Sequence, residues 1–130
     1  MALGTQHDFA MHRGDSRKIT GTVVDAAGTA VDLTGVSGTD LSWVLATLDT
    51  NAAEPAPRGT ALVTKTLTAG ITVVSAVAGT IEIALDEADT TGRRAPLGYY
   101  HELQLVLGGE TTTVMFGIIT LSRDIVVPGP

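Results

Sequence analysis

The strongest constraint on this chain is an alternation of apolar and polar side chains with a period of two. It is clearest in three segments, residues 17–25, 79–85 and 98–107. Within residues 79–85, for example, Ile81, Ile83 and Leu85 point one way, while Glu82 and Ala84 point the other. Successive side chains of a β-strand lie on opposite faces, so these segments predict antiparallel strands with one face in the core and one in water.

Turn residues separate the alternating segments. Residues 25–28 and 13–15 each contain a glycine suited to a tight turn, and Gly108-Gly109 predicts a hairpin. Residues 49–60 carry two prolines and a glycine and predict an exposed loop, whereas residues 86–92 favour a single helical turn capped by Asp86. The predicted strands are residues 7–13, 17–25, 41–48, 61–67, 71–75, 79–85, 98–107 and 111–126.

Short strands without intervening amphipathic helices predict an all-β fold, an antiparallel immunoglobulin-like β-sandwich of about seven to eight strands. The 130 residues fit one domain spanning residues 1–130, with extended ends at about 1–6 and 126–130. Aromatic residues make up only 4% of the chain, so the core depends mainly on Val, Leu and Ile. Trp43, on the third of these strands, is suited to its middle.

Two predicted strands, within residues 41–48 and 114–121, are apolar on both faces. A strand of this kind is covered on both faces, either by the loop at 49–60 or by another subunit. The apolar segment at 125–127, followed by Pro128, suits addition to a neighbour as an extended strand. The interface residues predicted from these patterns are Val44, Ala46, Leu48, Met115, Ile119, Leu121, Ile125, Val126 and Val127.

The charge balance argues against several classes of partner. The formal net charge is −6 at a pI of about 4.8, and an acidic surface repels phosphate backbones, so we expect no nucleic-acid partner. No apolar run reaches the roughly 18 residues of a membrane span, and the first residues lack the layout of a signal peptide. The absence of cysteine excludes a disulfide scaffold. We expect a protein made in a cytosol, with no membrane partner.

The residues that could carry chemistry form no recognisable constellation. The sequence has no Gly-x-Ser-x-Gly and no glycine-rich phosphate loop, and His101 is interpreted as a hydrogen-bonded structural residue. His7 and His12 lie five residues apart, on opposite faces of a strand. The acidic run at 86–89 could offer oxygen ligands to calcium, but a solvated, capped turn is the favoured interpretation. We therefore predict no enzyme activity, cofactor, metal or small-molecule substrate.

Arg13-Gly14-Asp15 matches the adhesive tripeptide that integrins bind. A match of three residues is common by chance. The favoured interpretation is a polar β-turn in which Gly14 takes a backbone conformation that other residues avoid and Asp15 bonds backbone amides.

Several short sequence segments, in their order along the chain, resemble segments of a known family. They are Ile19-Thr-Gly-Thr-Val-Val-Asp25, Val31-Asp-Leu-Thr-Gly35, Gly79-Thr-Ile-Glu-Ile-Ala-Leu85 and Gly98-Tyr-Tyr-His-Glu-Leu103, with Trp43 between the second and third. Over about residues 9–125 the chain resembles immunoglobulin-like domains of tailed-phage virion proteins, notably the N-terminal domain of baseplate upper proteins. The chain departs from those proteins in lacking a long C-terminal fibre or helical region after this domain, so attachment of a receptor-binding tip is not implied.

The resemblance implies a non-enzymatic structural component of the virion, in tail, baseplate, neck or capsid decoration. Its localisation would be the virion, assembled in the host cytoplasm. Its partners would be other virion proteins and further copies of itself, in a homo-oligomer of closed symmetry. The alternative function is a carbohydrate- or ligand-binding β-sandwich on a bacterial or phage surface. That function calls for exposed aromatic rings, for which only Tyr100 and Phe9 are candidates.

Overall fold

The computed structural model describes residues 5–123, which contain nine strands, one short α-helix and one turn of 3-10 helix at Gly38–Asp40. The prediction of an all-β fold is confirmed. In chain order the elements are β1 (Thr5–Gln6), β2 (Phe9–His12), β3 (Arg17–Thr22), β4 (Leu41–Leu48), β5 (Pro57–Leu67), β6 (Gly70–Ser75), β7 (Thr80–Leu85), α1 (Glu87–Thr91), β8 (Leu97–Leu107) and β9 (Glu110–Ser122).

The strand boundaries differ from the prediction mainly at β5 and at the first strand. β5 begins at Pro57, inside the segment predicted to be a loop, because Pro57 pairs with Leu48 and Arg58 with Thr47. Proline is tolerated at the first residue of a strand, where no ladder hydrogen bond is lost. β1 lies before the segment predicted as a strand at 7–13, in the predicted extended end, and within that segment only Phe9–His12 form a strand, β2. Residues 1–4 and 124–130 lie outside the described residues. They include most of the predicted end at 1–6, all of the predicted end at 126–130, and the predicted interface residues Ile125, Val126 and Val127.

The strands form one mixed sheet that curls into a half-barrel. Its order is β1-β9-β8-β4-β5-β6-β7-β3, and β2 extends the same edge as β1 by pairing with β9. The prediction of antiparallel pairing holds for most neighbours, but β1 and β2 run parallel to β9, and β5 runs parallel to β6. The β5–β6 contact is short, with only two residue pairs, so the sheet is weakly joined at its middle.

The core lies on the concave side of the curled sheet. It combines the inward side chains of β3, β6 and β7 with those of β4, β8 and β9. Trp43 is fully buried there, as predicted. The largest buried aliphatic side chains are Leu33, Leu41, Leu45, Ile71, Ile83, Leu103, Ile119 and Leu121. Burial of apolar area is the main stabilising contribution to such a fold.

The turns follow the predicted chemistry. Gly108 and Gly109 have positive φ and close the β8–β9 hairpin. The backbone N–H of Thr34 and its hydroxyl both donate to the Asp32 carboxylate, at 2.9 and 2.5 Å, ahead of Gly35 at φ +90°. The hydroxyl and then the backbone N–H hold the pKa of Asp32 below its usual value.

The N-terminal edge is fixed by a close backbone contact over Gly117. His7 and Asp8 lie between β1 and β2, and the Asp8 carboxylate accepts the Ile118 backbone N–H at 2.8 Å. His7 donates its own N–H to the Phe116 carbonyl at 2.7 Å. A Cβ at Gly117 would collide with the His7 carbonyl oxygen and would lie 2.6 Å from Asp8 Oδ1. Only glycine leaves room for this edge to dock.

We expect Gly117→Ala to lower the free energy of unfolding by about 1–3 kcal/mol, because the added methyl group must push the His7 carbonyl away from β9. Urea unfolding followed by tryptophan fluorescence measures this. Gly21→Ala is the matched control, since a Cβ there meets nothing within 4 Å, and it should be neutral or slightly stabilising. Equal losses in the two variants would contradict the role given to Gly117.

Candidate interaction surface

The structure corrects the predicted outward face of β9. Met115, Ile119 and Leu121 were assigned to an interface, but they are 9%, 1% and 0% exposed and belong to the core cluster. These three side chains pack into the core on the concave side of the sheet, so they do not face a partner on its outer side. The outward residues of β9 are instead Phe116 and Ile118, both half-buried.

A β-bulge in β9 is the physical reason. Gln104 pairs with Thr113, but the next residue, Leu103, pairs with Met115, so Val114 is the extra residue. A shift of one residue moves every later side chain of a strand to the opposite face. Val114 itself is 8% exposed and also contributes to the core.

The predicted outward residues of β4 keep their place. Val44 and Leu48 are half-buried. Ala46 lies outside the core cluster but is only 2% exposed, so it offers almost no surface to a partner, contrary to its assignment as an interface residue. The β4–β8 and β8–β9 registers align Val44 with Glu102 and Phe116, and Ala46 with Tyr100 and Ile118. These strands therefore share an apolar outer surface, which we call the outward patch. Its residues are Val44, Ala46, Leu48, Tyr100, Phe116 and Ile118.

At one end of the outward patch, the missing side chain of Gly98 makes room for the side chains of Ile118 and Leu48. A Cβ on Gly98 would lie 3.3 Å from the Ile118 Cγ2 and 3.4 Å from the Leu48 Cδ2, so these two side chains occupy the space above the glycine. The loop at residues 49–56, which connects β4 with β5, lies beside these two side chains. Between this loop, Leu48 and Ile118 lies an open pocket of about 320 Å³. The loop therefore borders the patch, and its residues line the pocket together with Leu48 and Ile118.

The other end of the patch is polar. The Glu102 carboxylate accepts from the Gln104 amide at 3.3 Å and from the Thr113 hydroxyl at 3.2 Å. Burial, and then the negative charge of Glu102, raise the pKa of Tyr100 to about 12. Tyr100 is 6% exposed, and its hydroxyl has no hydrogen-bond partner in the described part of the chain. The phenol therefore presents a neutral O–H at physiological pH.

His101 is a structural residue in the core, as the sequence predicted. The Trp43 indole N–H donates to its Nδ1 at 3.2 Å, and its Nε2 donates to the His7 carbonyl at 2.6 Å. Because an indole nitrogen only donates, Nδ1 must be unprotonated, which fixes the neutral tautomer with hydrogen on Nε2. Burial lowers the pKa of His101, and the bond to His7 opposes this only in part.

The other residues singled out from the sequence lie apart from the patch. His12, at the end of β2, contacts the Arg123 carbonyl through Nδ1 at 3.1 Å. Arg13-Gly14-Asp15 forms the predicted turn, with Gly14 at φ +85° and the Asp15 N–H donating to the His12 carbonyl at 3.2 Å. The predicted bonds from backbone amides to the Asp15 carboxylate are not found within residues 5–123. Gly14 donates its N–H to the Thr90 hydroxyl, and Arg13 donates to the Arg93 carbonyl. The arginine is thus held against the segment after α1.

The acidic run at α1 is a capped turn beside a lysine. Asp86 and Asp89 form a reciprocal capping box, as predicted for Asp86. Lys65 Nζ lies 2.9 Å from an Asp89 oxygen and 3.8 Å from an Asp86 oxygen. Within residues 5–123 no group of three potential metal ligands comes together. In the same residues no helix has the length and apolar character to cross a membrane.

Comparison with family models and with curated proteins found no relative of this chain. No protein-family model matches the chain, and no curated protein is significantly similar to it.

The neutral state of His101 predicts a pH dependence of stability. Its pKa in the folded protein lies below the unfolded value of 6.5, so the unfolded chain takes up a proton first as the pH falls. This contribution is complete above about pH 6.5 and is lost below it, with a slope of up to about 1.4 kcal/mol per pH unit.

Urea unfolding between pH 7.5 and 5 measures this slope. We expect His101→Gln to flatten it, because glutamine keeps a donor and an acceptor but does not titrate. His12→Gln is the control and should keep the slope of the parent protein. An unchanged slope in His101→Gln would show that another group is responsible.

Proposed function

We propose that this protein is a non-enzymatic structural component of a tailed-phage virion, in tail, baseplate, neck or capsid decoration. It acts by holding neighbouring virion proteins, and it forms a homo-oligomer in the particle. The observation that carries the proposal is the outward patch, a half-buried apolar surface on three adjacent strands that the chain's own loop borders but does not cover completely. The resemblance of residues 9–125 to phage virion domains supplies the biological setting.

We also propose that the curled sheet is an immunoglobulin-like sandwich. The short β5–β6 contact divides it into β3-β7-β6 and β5-β4-β8-β9, the order of strands B-E-D and C′-C-F-G in that fold. Two side chains support this assignment. Trp43 is buried on the strand equivalent to C, and the Tyr99 hydroxyl, at the start of the strand equivalent to F, donates to the Arg94 carbonyl at 2.9 Å. A buried tryptophan and a tyrosine corner at these positions are typical of immunoglobulin-like domains.

The two aromatic rings considered for carbohydrate binding are already engaged. Tyr100 is 6% exposed, and the Arg17 guanidinium covers the Phe9 ring at 4.4 Å from its centroid. Sugar binding by stacking needs an open ring face. Neither ring offers one, so the assembly function is the one we retain.

Incorporation into particles tests the proposal. The chain is co-expressed with the virion genes adjacent to its own, and assembled particles are purified and analysed by mass spectrometry. We expect the parent protein in the particles and at least a ten-fold loss of incorporation for Val44→Asp and Phe116→Asp, because a carboxylate in the patch must be desolvated on contact.

Val74→Asp is the matched control, since Val74 is 61% exposed on β6, well away from the patch. Thermal unfolding confirms that each variant is folded. Absence of the parent protein from particles, or equal incorporation of all three variants, would overturn the proposed function.

A further inference from the structure

We propose that the outward patch binds a different protein, one that presents an aliphatic or aromatic side chain next to lysine or arginine, and not a second copy of this chain. The inference rests on the proposed function and specifies the chemistry of the neighbour at this surface. Contacts between identical copies would then use another surface. Among the strands of residues 5–123, β3 ends the sheet and pairs with β7 alone, which makes it a candidate for such contacts.

The charged residues of the patch and its pocket are acidic. Arg58, which pairs with Thr47 on the adjacent strand β5, lies beside the patch and forms none of the ion pairs found within residues 5–123. Glu102 lies within the patch, and Asp49 and Glu54 line the pocket at its end. The ion pairs found within residues 5–123 join Lys18 with Glu82, and Lys65 with Asp86 and Asp89, and so include none of these three carboxylates. Neighbouring polar groups hydrogen-bond to Glu102 and Asp49, but no cation of the described chain neutralises their charge.

A second copy on this surface would bring like charges together. Each copy would contribute Asp49, Glu54 and Glu102, and their desolvation without a counter-charge opposes binding. A basic neighbour has the opposite effect, because its lysine or arginine pairs with the same carboxylates. The patch thus attracts a cationic surface and repels the patch of a second copy. Interfaces achieve specificity by combining attraction to one partner with repulsion of another.

The pocket and Tyr100 indicate what else the neighbour presents. The pocket of about 320 Å³ is lined by Leu48, Ile118 and the alanine and proline side chains of the loop, so it suits one apolar side chain. Tyr100 is more than nine-tenths buried, and its hydroxyl bonds to no group of the described chain. Since no buried polar side-chain atom of the described residues lacks a partner, this hydroxyl lies at the surface. Its O–H is free to donate to a backbone carbonyl of the neighbour, and tyrosines of this kind are enriched in protein interfaces.

The first experiment measures self-association by sedimentation velocity at low ionic strength. We expect the parent protein to show no dimer through the patch. Glu54→Gln/Glu102→Gln should increase self-association at least several-fold, because it removes repulsion while the introduced glutamine side chains can still accept hydrogen bonds. Glu87→Gln/Glu110→Gln is the control with the same change in charge, on α1 and at the β8–β9 turn, and should behave like the parent.

The inference fails if the parent protein dimerises and Val44→Asp abolishes the dimer, since a second copy is then the occupant. It also fails if Glu54→Gln/Glu102→Gln remains as monomeric as the parent.

The second experiment uses two blocked peptides as probes, Lys-Leu-Lys-Leu-Lys and Glu-Leu-Glu-Leu-Glu, with amide chemical shifts read by NMR. We expect the cationic peptide to bind at least ten-fold more tightly, to shift signals in residues 44–55, 100–102 and 116–118, and to weaken with added salt. The Glu54→Gln/Glu102→Gln variant should lose most of this preference. Equal binding of the two peptides, or no binding of the cationic one, overturns the inference, whereas incorporation into particles judges the proposed function independently.

Discussion

The structure depends on one short chain of hydrogen bonds in an apolar core, from Trp43 through His101 to the backbone of His7. It connects β4 and β8, at the centre of the sheet, with the N-terminal edge that pairs to β9. A buried polar group is tolerated only when its hydrogen bonds are made, so this chain of bonds specifies one position for the edge. Gly117 is part of the same arrangement, because its missing side chain lets the His7 carbonyl reach the ring.

Most of the strands could be predicted because their local pattern and their tertiary role agree. β7 alternates cleanly, and the same residues that read as apolar, Ile81, Ile83 and Leu85, are the ones buried. The hairpin at Gly108-Gly109 was equally clear, since its backbone conformation requires positive φ. The parallel pairing of β1 and β2 with β9 could not be predicted, because alternation fixes which face of a strand is buried but not which strand lies beside it.

The outward-facing residues of β4 were predicted correctly and those of β9 wrongly. The register of the β8–β9 hairpin explains the error. A two-residue turn pairs Leu107 with Glu110, and counting from there without a bulge would pair Leu103 with Val114. Even-numbered residues of β9 would then face the core and odd-numbered ones the solvent. The bulge at Val114 reverses this assignment, and no residue there signals it, since both faces of the segment are apolar. Gly117 was the available clue: a glycine in a strand often marks a close backbone approach, which here is on the core side.

The same bulge accounts for the chemistry of the outward patch. By turning Met115, Ile119 and Leu121 inward, it leaves Phe116 and Ile118 outside, next to Tyr100 and Val44. The side chains of Val44, Phe116 and Ile118 are only half-buried, so water contacts the part of each that neighbouring strands leave open. A surface of this kind would favour self-association if it were neutral. We propose that Glu102 within the patch and the carboxylates at its border oppose that tendency at little cost to the fold, because water still solvates them in the free protein. We therefore propose that the charge of the patch selects between partners and does not contribute to stability.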